Sequence, residues 1–466
     1  MSREITERRR SWLSGELDTW RSLGLISEDQ AREVLSLYTT PQEFIARRQS
    51  KGVMVLMALA ATLVGLSLLL VIGYNWSDIP DFAKVTAVFG SLIVTHAAGA
   101  GLRWRKGLRR ESEILFFIGC IIYGSGIWLL AQIFNISSED AGGFWWWALG
   151  VLPFALILDT LLLHIVFVAL MAIWAGTEVL NYSNLGFWLF RRFPYIPDGA
   201  FSLVPLSAPG LIWAYKKRDP RAVALYVALF TWWVILQAFA WNFGRSSIEF
   251  IGAVGALLLL AAQAHRPESP MAVPYRLYGS GILAGVLLPL SYHAVNEQLS
   301  RGMDADLLQK LAPTVAILFL AAITLAEVVF ARRRAALKSG IAPLGVVDDL
   351  VSLAKRQSGP CLLLVFFVGL AFWRPIIGEP FLPTLLANVA MLGLAFWLIK
   401  IGLAEDKGRP FGAGVLYFLL WAVLRYIDLF GAYGGMLGGA LMFFLCGATL
   451  FGVALYWRNR KAVSLV

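Results

Sequence analysis

The chain has 466 residues, 58% of them hydrophobic and only 15% charged, with a mean hydropathy of +0.69 and a formal net charge of +10. A soluble fold of this length needs far more polar surface to cover its core, so this composition excludes one and points to membrane-spanning helices. The apolar runs, such as Ala58 to Ile72, show no alternation of apolar and polar positions, which argues against a transmembrane β-barrel.

In chain order, residues 1–50 read as a small polar cap of two or three short helices. Ile5, Trp12, Leu13, Leu17 and Trp20 recur at helical spacing, and a turn follows at Gly24. Ser27-Glu28-Asp29-Gln30 has the pattern of a capping box opening a second helix through Tyr38, and Pro41 starts a third. From residue 51 to 466 the expectation is an all-α transmembrane bundle of about fourteen spans. They fall at 52–73, 83–102, 114–135, 144–158, 160–180, 200–215, 221–242, 247–264, 276–293, 311–331, 359–374, 382–402, 411–430 and 435–457. Between the fourth and fifth lies a very tight turn at Asp159-Thr160, where a re-entrant pair is an alternative. Pro205, Pro209 and Gly210 predict a broken sixth span, and Pro289 a break in the ninth. Within 343–356, Asp348 and Asp349 precede Lys355 and Arg356, the order a helix macrodipole favours, and a short interfacial helix is expected there.

Charge fixes an expected orientation. With the N-terminus in the cytoplasm, 32 of the 40 Lys and Arg residues fall on the cytoplasmic side, and both termini lie there. The other 8 are Lys84, Arg191, Arg192, Arg245, Arg301, Lys310, Arg374 and Arg425. Basic residues distributed in this way mark topology, and no nucleic-acid face is expected. The charged N-terminus does not resemble a signal peptide. A multi-pass protein of an inner membrane follows. Cys120, Cys361 and Cys446 all lie in apolar runs and form no disulfide or metal-ligand pattern.

Polar groups near the outer helix ends are the candidate site. Asn75 and Trp76 end the first span, Gln132 and Asn135 the third, and Glu178 the fifth. Arg425 and Asp428 stand three apart near the end of the thirteenth, close enough to pair. Together they suggest an outward-facing polar cavity in which Arg425 engages a phosphate or carboxylate, with Glu178 as a proton-coupling carboxylate. The plain alternative is that polar helix ends simply meet headgroups and water. Glu249, His293 and Glu297 lie at the same level, and His96 and His164 fall inside spans without the spacing of a haem pair. No Walker loop, HExxH, GxSxG or CxxC is present, and neither a metal nor a cofactor is expected.

Several local signatures resemble a family of uncharacterised bacterial membrane proteins, a domain of unknown function. They are Gly24-Leu25-Ile26-Ser27, Gly73-Tyr74-Asn75-Trp76, Trp128-Leu129-Leu130-Ala131-Gln132-Ile133-Phe134-Asn135 and Leu424-Arg425-Tyr426-Ile427-Asp428-Leu429-Phe430. The resemblance implies the same architecture and carries no chemistry. Three functions compete on the residues alone. The first is a secondary transporter or flippase for an anionic or lipid-linked substrate. The second is an enzyme acting on a lipid-linked substrate at the outer face, with Glu178, Glu249 or His293 as base. The third is a non-catalytic sensor or assembly subunit, whose cap docks a cytosolic partner or lies on membrane lipids.

Overall fold

Helix start and stop signals account for most of the observed elements. The structure is a computed structural model that describes residues 7–37, 79–135, 142–180, 199–266, 269–300, 307–338, 345–404 and 408–430, with isolated positions beyond them. Among the described residues there are sixteen α-helices and no strand. The chain divides into two compact units, 1–87 and 88–466.

In the first unit, α1 (Glu7–Ser22) stops at Gly24, whose φ of +71° suits glycine, and the Leu25 N–H returns to the Trp20 carbonyl at 2.9 Å. Helix α2 (Glu28–Ser36) opens with the expected capping box. The Gln30 N–H donates to Ser27 Oγ at 3.2 Å, and the Ser27 N–H donates to Gln30 Oε1 at 2.9 Å. The helix expected from Pro41 and the span at 52–73 lie outside the described residues, as does most of 435–457.

The remaining helices are α3 (Asp81–Ala100), α4 (Arg109–Ile133), α5 (Gly142–Leu158), α6 (Leu161–Leu180), α7 (Leu203–Lys217), α8 (Pro220–Ala240), α9 (Ser247–Ala261), α10 (Val273–Leu290), α11 (His293–Ser300), α12 (Leu307–Lys338), α13 (Val346–Arg356), α14 (Ser358–Ile377), α15 (Phe381–Ala404) and α16 (Gly408–Phe430). Every expected span within the described residues falls on one of them. Nine stretches among these residues are long and apolar enough to cross a membrane, and α5 is a shorter apolar helix. Helix α13 occupies the expected interfacial segment, with both acids in its first turn and both bases in its last.

Two local expectations are refined. Helices α5 and α6 are separate, packed helices joined by Asp159, whose φ of +57° gives a left-handed corner. Helix α7 is continuous across Pro209, contrary to the expected break. Pro205 sits in its first turn, where an N–H would have no intrahelical acceptor, so one of the two prolines costs nothing there. Gly210 lies against the Tyr226 ring, which occupies the space a Cβ would need.

Burial forms two apolar cores. One joins α4–α8 around Phe167, Met171, Leu203 and Tyr226; the other joins α8–α10, α12 and α14–α16 around Phe250, Leu287, Phe367 and Met391. Side-chain contacts show which helix ends share a level. At one end Arg103 donates to the Leu158 carbonyl at 3.1 Å, Lys217 pairs with Asp159 at 2.6 Å, and Tyr215 meets His265 at 3.1 Å. These are the loops in which the bases concentrate. At the other end Trp145 donates to Ser202 Oγ at 3.0 Å, and the ends of α10, α14 and α16 meet.

Candidate functional site

The second end holds a buried polar network assembled from six helices. Its centre is the break between α10 and α11. Pro289 lies in the last turn of α10, and the chain turns at Ser291-Tyr292 before α11 resumes. Carbonyls near the end of α10 have no partner further along that helix and must be satisfied from elsewhere. Asn296, fully buried on α11, donates to the Leu290 carbonyl at 2.6 Å. The Ser291 carbonyl accepts from Asn388 Nδ2 and from Arg425 Nη1, both at 2.9 Å.

Two cations enter this network by different routes. Arg425 of α16 is 7% exposed; it also reaches Ser291 Oγ at 3.3 Å and lies over the Tyr292 ring at 4.6 Å. Arg374, in the last turn of α14, donates to Asn296 Oδ1 at 2.9 Å and stands 2.7 Å from Glu249 Oε1 on the first turn of α9. Glu249 is 0% exposed, and its second oxygen, Oε2, has no hydrogen-bond partner among the described residues. The two branches are joined through α15. Thr384 Oγ1 accepts from Asn296 at 2.9 Å, and one turn later Asn388 Oδ1 accepts from Trp421 Nε1 at 2.9 Å. The arrangement is a carboxylate and two guanidiniums held by amide and carbonyl groups inside an apolar bundle, a setting in which charges are costly and ordinarily functional.

Of the sequence candidates, Arg425 is at the heart of this network. Asp428 lies on the same helix, with its side chain outside what is described. Asn75 and Trp76 lie outside the described residues. Gln132 and Asn135 are exposed at the end of α4, and Asn135 takes a φ of +49° as that helix stops. Glu178 is fully buried on α6, among the helices of the first core. No described contact joins these three to Arg425. Sequence reasoning had placed Glu249 and Arg374 at this level without pairing them, and it missed Asn296, Thr384 and Asn388. Asn388 left a visible signal, a lone amide inside the apolar run Leu385-Leu386-Ala387-Asn388-Val389-Ala390.

A second polar cluster marks the basic end. Asp159 accepts from Lys217 Nζ and from Trp213 Nε1, both at 2.6 Å, and those bonds hold its carboxyl below the usual carboxylate range. Tyr215 joins His265 to Tyr275, the two hydroxyls 2.6 Å apart, and burial pushes the His265 imidazole pKa down, favouring its neutral form. His164 is stacked on Trp213 and meets the Tyr226 hydroxyl at 2.6 Å.

Residues 18–164 match a family described as "Predicted membrane protein (DUF2157)". The chain is thus similar over its first third to a membrane-protein domain of unknown function, and the buried network lies wholly beyond the matched stretch. No curated protein and no solved structure matches the chain.

Proposed function

We propose, on the premise of a membrane-embedded helical protein, that the chain is a secondary transporter, or flippase, for an anionic substrate. The observation that carries this reading is the Glu249–Arg374 pair, 2.7 Å apart and almost fully buried. As built, the pair is neutral overall. If Glu249 takes a proton, Arg374 is released from its carboxylate, and a substrate phosphate or carboxylate can replace it. The loaded site then carries one proton and one anion in place of one carboxylate, so its net charge is unchanged. Both end states are free of an unpaired charge, so a low-dielectric site passes between them when protonation of Glu249 and entry of the anion are coupled, the condition for proton-coupled anion movement. Asn296 orients Arg374, and Arg425 at the α10 break offers a second cation to a larger anionic headgroup.

In the full proposal the chain has about fourteen spans, residues 1–50 form a cytoplasmic cap, and the basic end faces the cytoplasm of an inner membrane. The test is transport into proteoliposomes carrying an internal pH dye, with a panel of organic phosphates, carboxylates and lipid-linked phosphates. Wild-type protein should acidify the lumen with one class of anion. Glu249→Gln should exchange that anion without moving protons. Unchanged acidification by Glu249→Gln would refute the mechanism.

A further inference from the structure

Away from the polar network, helices α14 and α15 line a groove of about 340 Å³. Its floor is Leu259 of α9, and its walls include Leu363, Phe366, Ala390 and Trp397. Leu362 and Val389 on the rim are 68% and 59% exposed, so the groove opens sideways to whatever surrounds the bundle. A dry cavity of roughly 150 Å³ holds one benzene ring, so this one holds on the order of a dozen carbon atoms, about one fatty acyl chain.

The charge at its mouth identifies the rest of the ligand. Gly359 and Trp397 line the groove at its basic end. Three and four residues before Gly359, Arg356 and Lys355 are exposed in the last turn of α13. Helix α14 begins at Ser358, and the side chain of its cap residue Gln357 makes no capping hydrogen bond to the first N–H groups of α14. The acids of α13, Asp348 and Asp349, are in its opposite, first turn. An apolar slot of one-chain size, preceded within four residues of its lining by two exposed bases and a helix N-terminus, complements an anionic amphiphile.

We infer that the groove between α14 and α15 is a binding site for an anionic phospholipid. One acyl chain lies along Leu363, Phe366 and Ala390, and the headgroup phosphate rests on Lys355, Arg356 and the start of α14. The site is independent of the transport reading, since it uses neither Glu249 nor either arginine of the network.

The test is native mass spectrometry of the full-length, delipidated protein titrated with phosphatidylglycerol or phosphatidylcholine. Wild-type protein should bind one phosphatidylglycerol with a preference of roughly 30-fold, as two bases near a headgroup supply. Lys355→Gln with Arg356→Gln should abolish the preference while leaving weak binding of both lipids. Gly393 lines the groove and a Cβ there meets nothing within 4 Å, so Gly393→Leu puts its side chain into the slot. It should weaken both lipids about tenfold, the loss of two buried methylenes. Gly369→Leu, on α14 outside the groove and also without a neighbour, should bind as wild type. Equal wild-type affinity for the two lipids would overturn the inference, as would wild-type binding by Gly393→Leu or an equal loss in Gly369→Leu.

Discussion

Removing Glu249 and removing Arg374 should destabilise the protein in different ways, because only one of the two survivors can shed its charge. Both are buried, at 0% and 4% exposure, with 2.7 Å between the charged atoms. In Glu249→Gln the guanidinium stays charged at any attainable pH and keeps its bond to Asn296. The loss should be that of a broken buried pair, about 3–5 kcal/mol. In Arg374→Met the stranded carboxylate can neutralise itself by binding a proton. From an ordinary pKa near 4.3, protonation costs about 3.7 kcal/mol at pH 7 and about 1 kcal/mol at pH 5. The folded variant then holds one more proton than the unfolded chain, so its stability falls as pH rises. A further loss of about 1–3 kcal/mol, independent of pH, comes from Asn296 Oδ1 losing its donor. The double variant leaves no stranded charge and should be more stable than the sum of the single losses by at least about 2 kcal/mol. Unfolding of the four proteins in mixed detergent–SDS micelles at pH 5 and pH 7 measures every term. Additive losses, or an Arg374→Met deficit equal at both pH values, would refute the reasoning.

Three other outcomes are expected. Gly210→Ala forces a methyl into the Tyr226 ring and disturbs its 2.6 Å contact with His164; a loss of about 1–3 kcal/mol in the same unfolding assay is expected. Asp159→Asn keeps the left-handed corner, which Asn tolerates, and removes the charge that Lys217 meets together with one of the two acceptor oxygens used by Lys217 and Trp213. Because the wild-type carboxyl is held low, its contribution is present above about pH 4 and disappears as pH falls through its folded value; half-exposure keeps it below about 1 kcal/mol. Amide exchange in the first turn of α6 reads that difference. In a cysteine-free background, a membrane-impermeant maleimide should label Arg245→Cys in intact cells and leave Lys355→Cys unlabelled until the cells are opened.

What the sequence made legible was local. The Ser27–Gln30 capping box, the turn at Asp159, the break after Pro289 and the acid-to-base order of α13 each depend on residues within a few positions of one another, and all are present. The network was not legible because its bonds cross long separations. Arg374 meets Asn296 across 78 positions, and Arg425 meets Ser291 across 134. Local spacing suggests a pair between Arg425 and Asp428, whose side chain lies outside the described residues, and gives no sign of the bond from Arg425 to a carbonyl that the break in α10 makes available. The expected break in α7 failed for a related reason. Two prolines read as two defects, but the helix begins at Leu203 and so places Pro205 where no hydrogen bond is lost.

Helix dipoles bear on how a ligand would compete for this network. Glu249 occupies the first turn of α9, Arg374 the last turn of α14, and Arg425 the C-terminal end of α10. Each charge therefore faces the end of a helix whose partial charge opposes its own, a favourable placement of up to about 2 kcal/mol in a partly buried setting. The empty network is stabilised by these dipoles as well as by its own ion pair. An incoming anion at Arg374 meets the negative end of the α14 dipole and must also displace a carboxylate that the dipole of α9 already favours. Displacement without protonation would leave two anions beside one guanidinium. Anion affinity should therefore fall as pH rises, by up to tenfold per pH unit where one proton accompanies each anion. Titrating the transported anion at pH 6 and pH 8 gives the slope, and Glu249→Gln should flatten it.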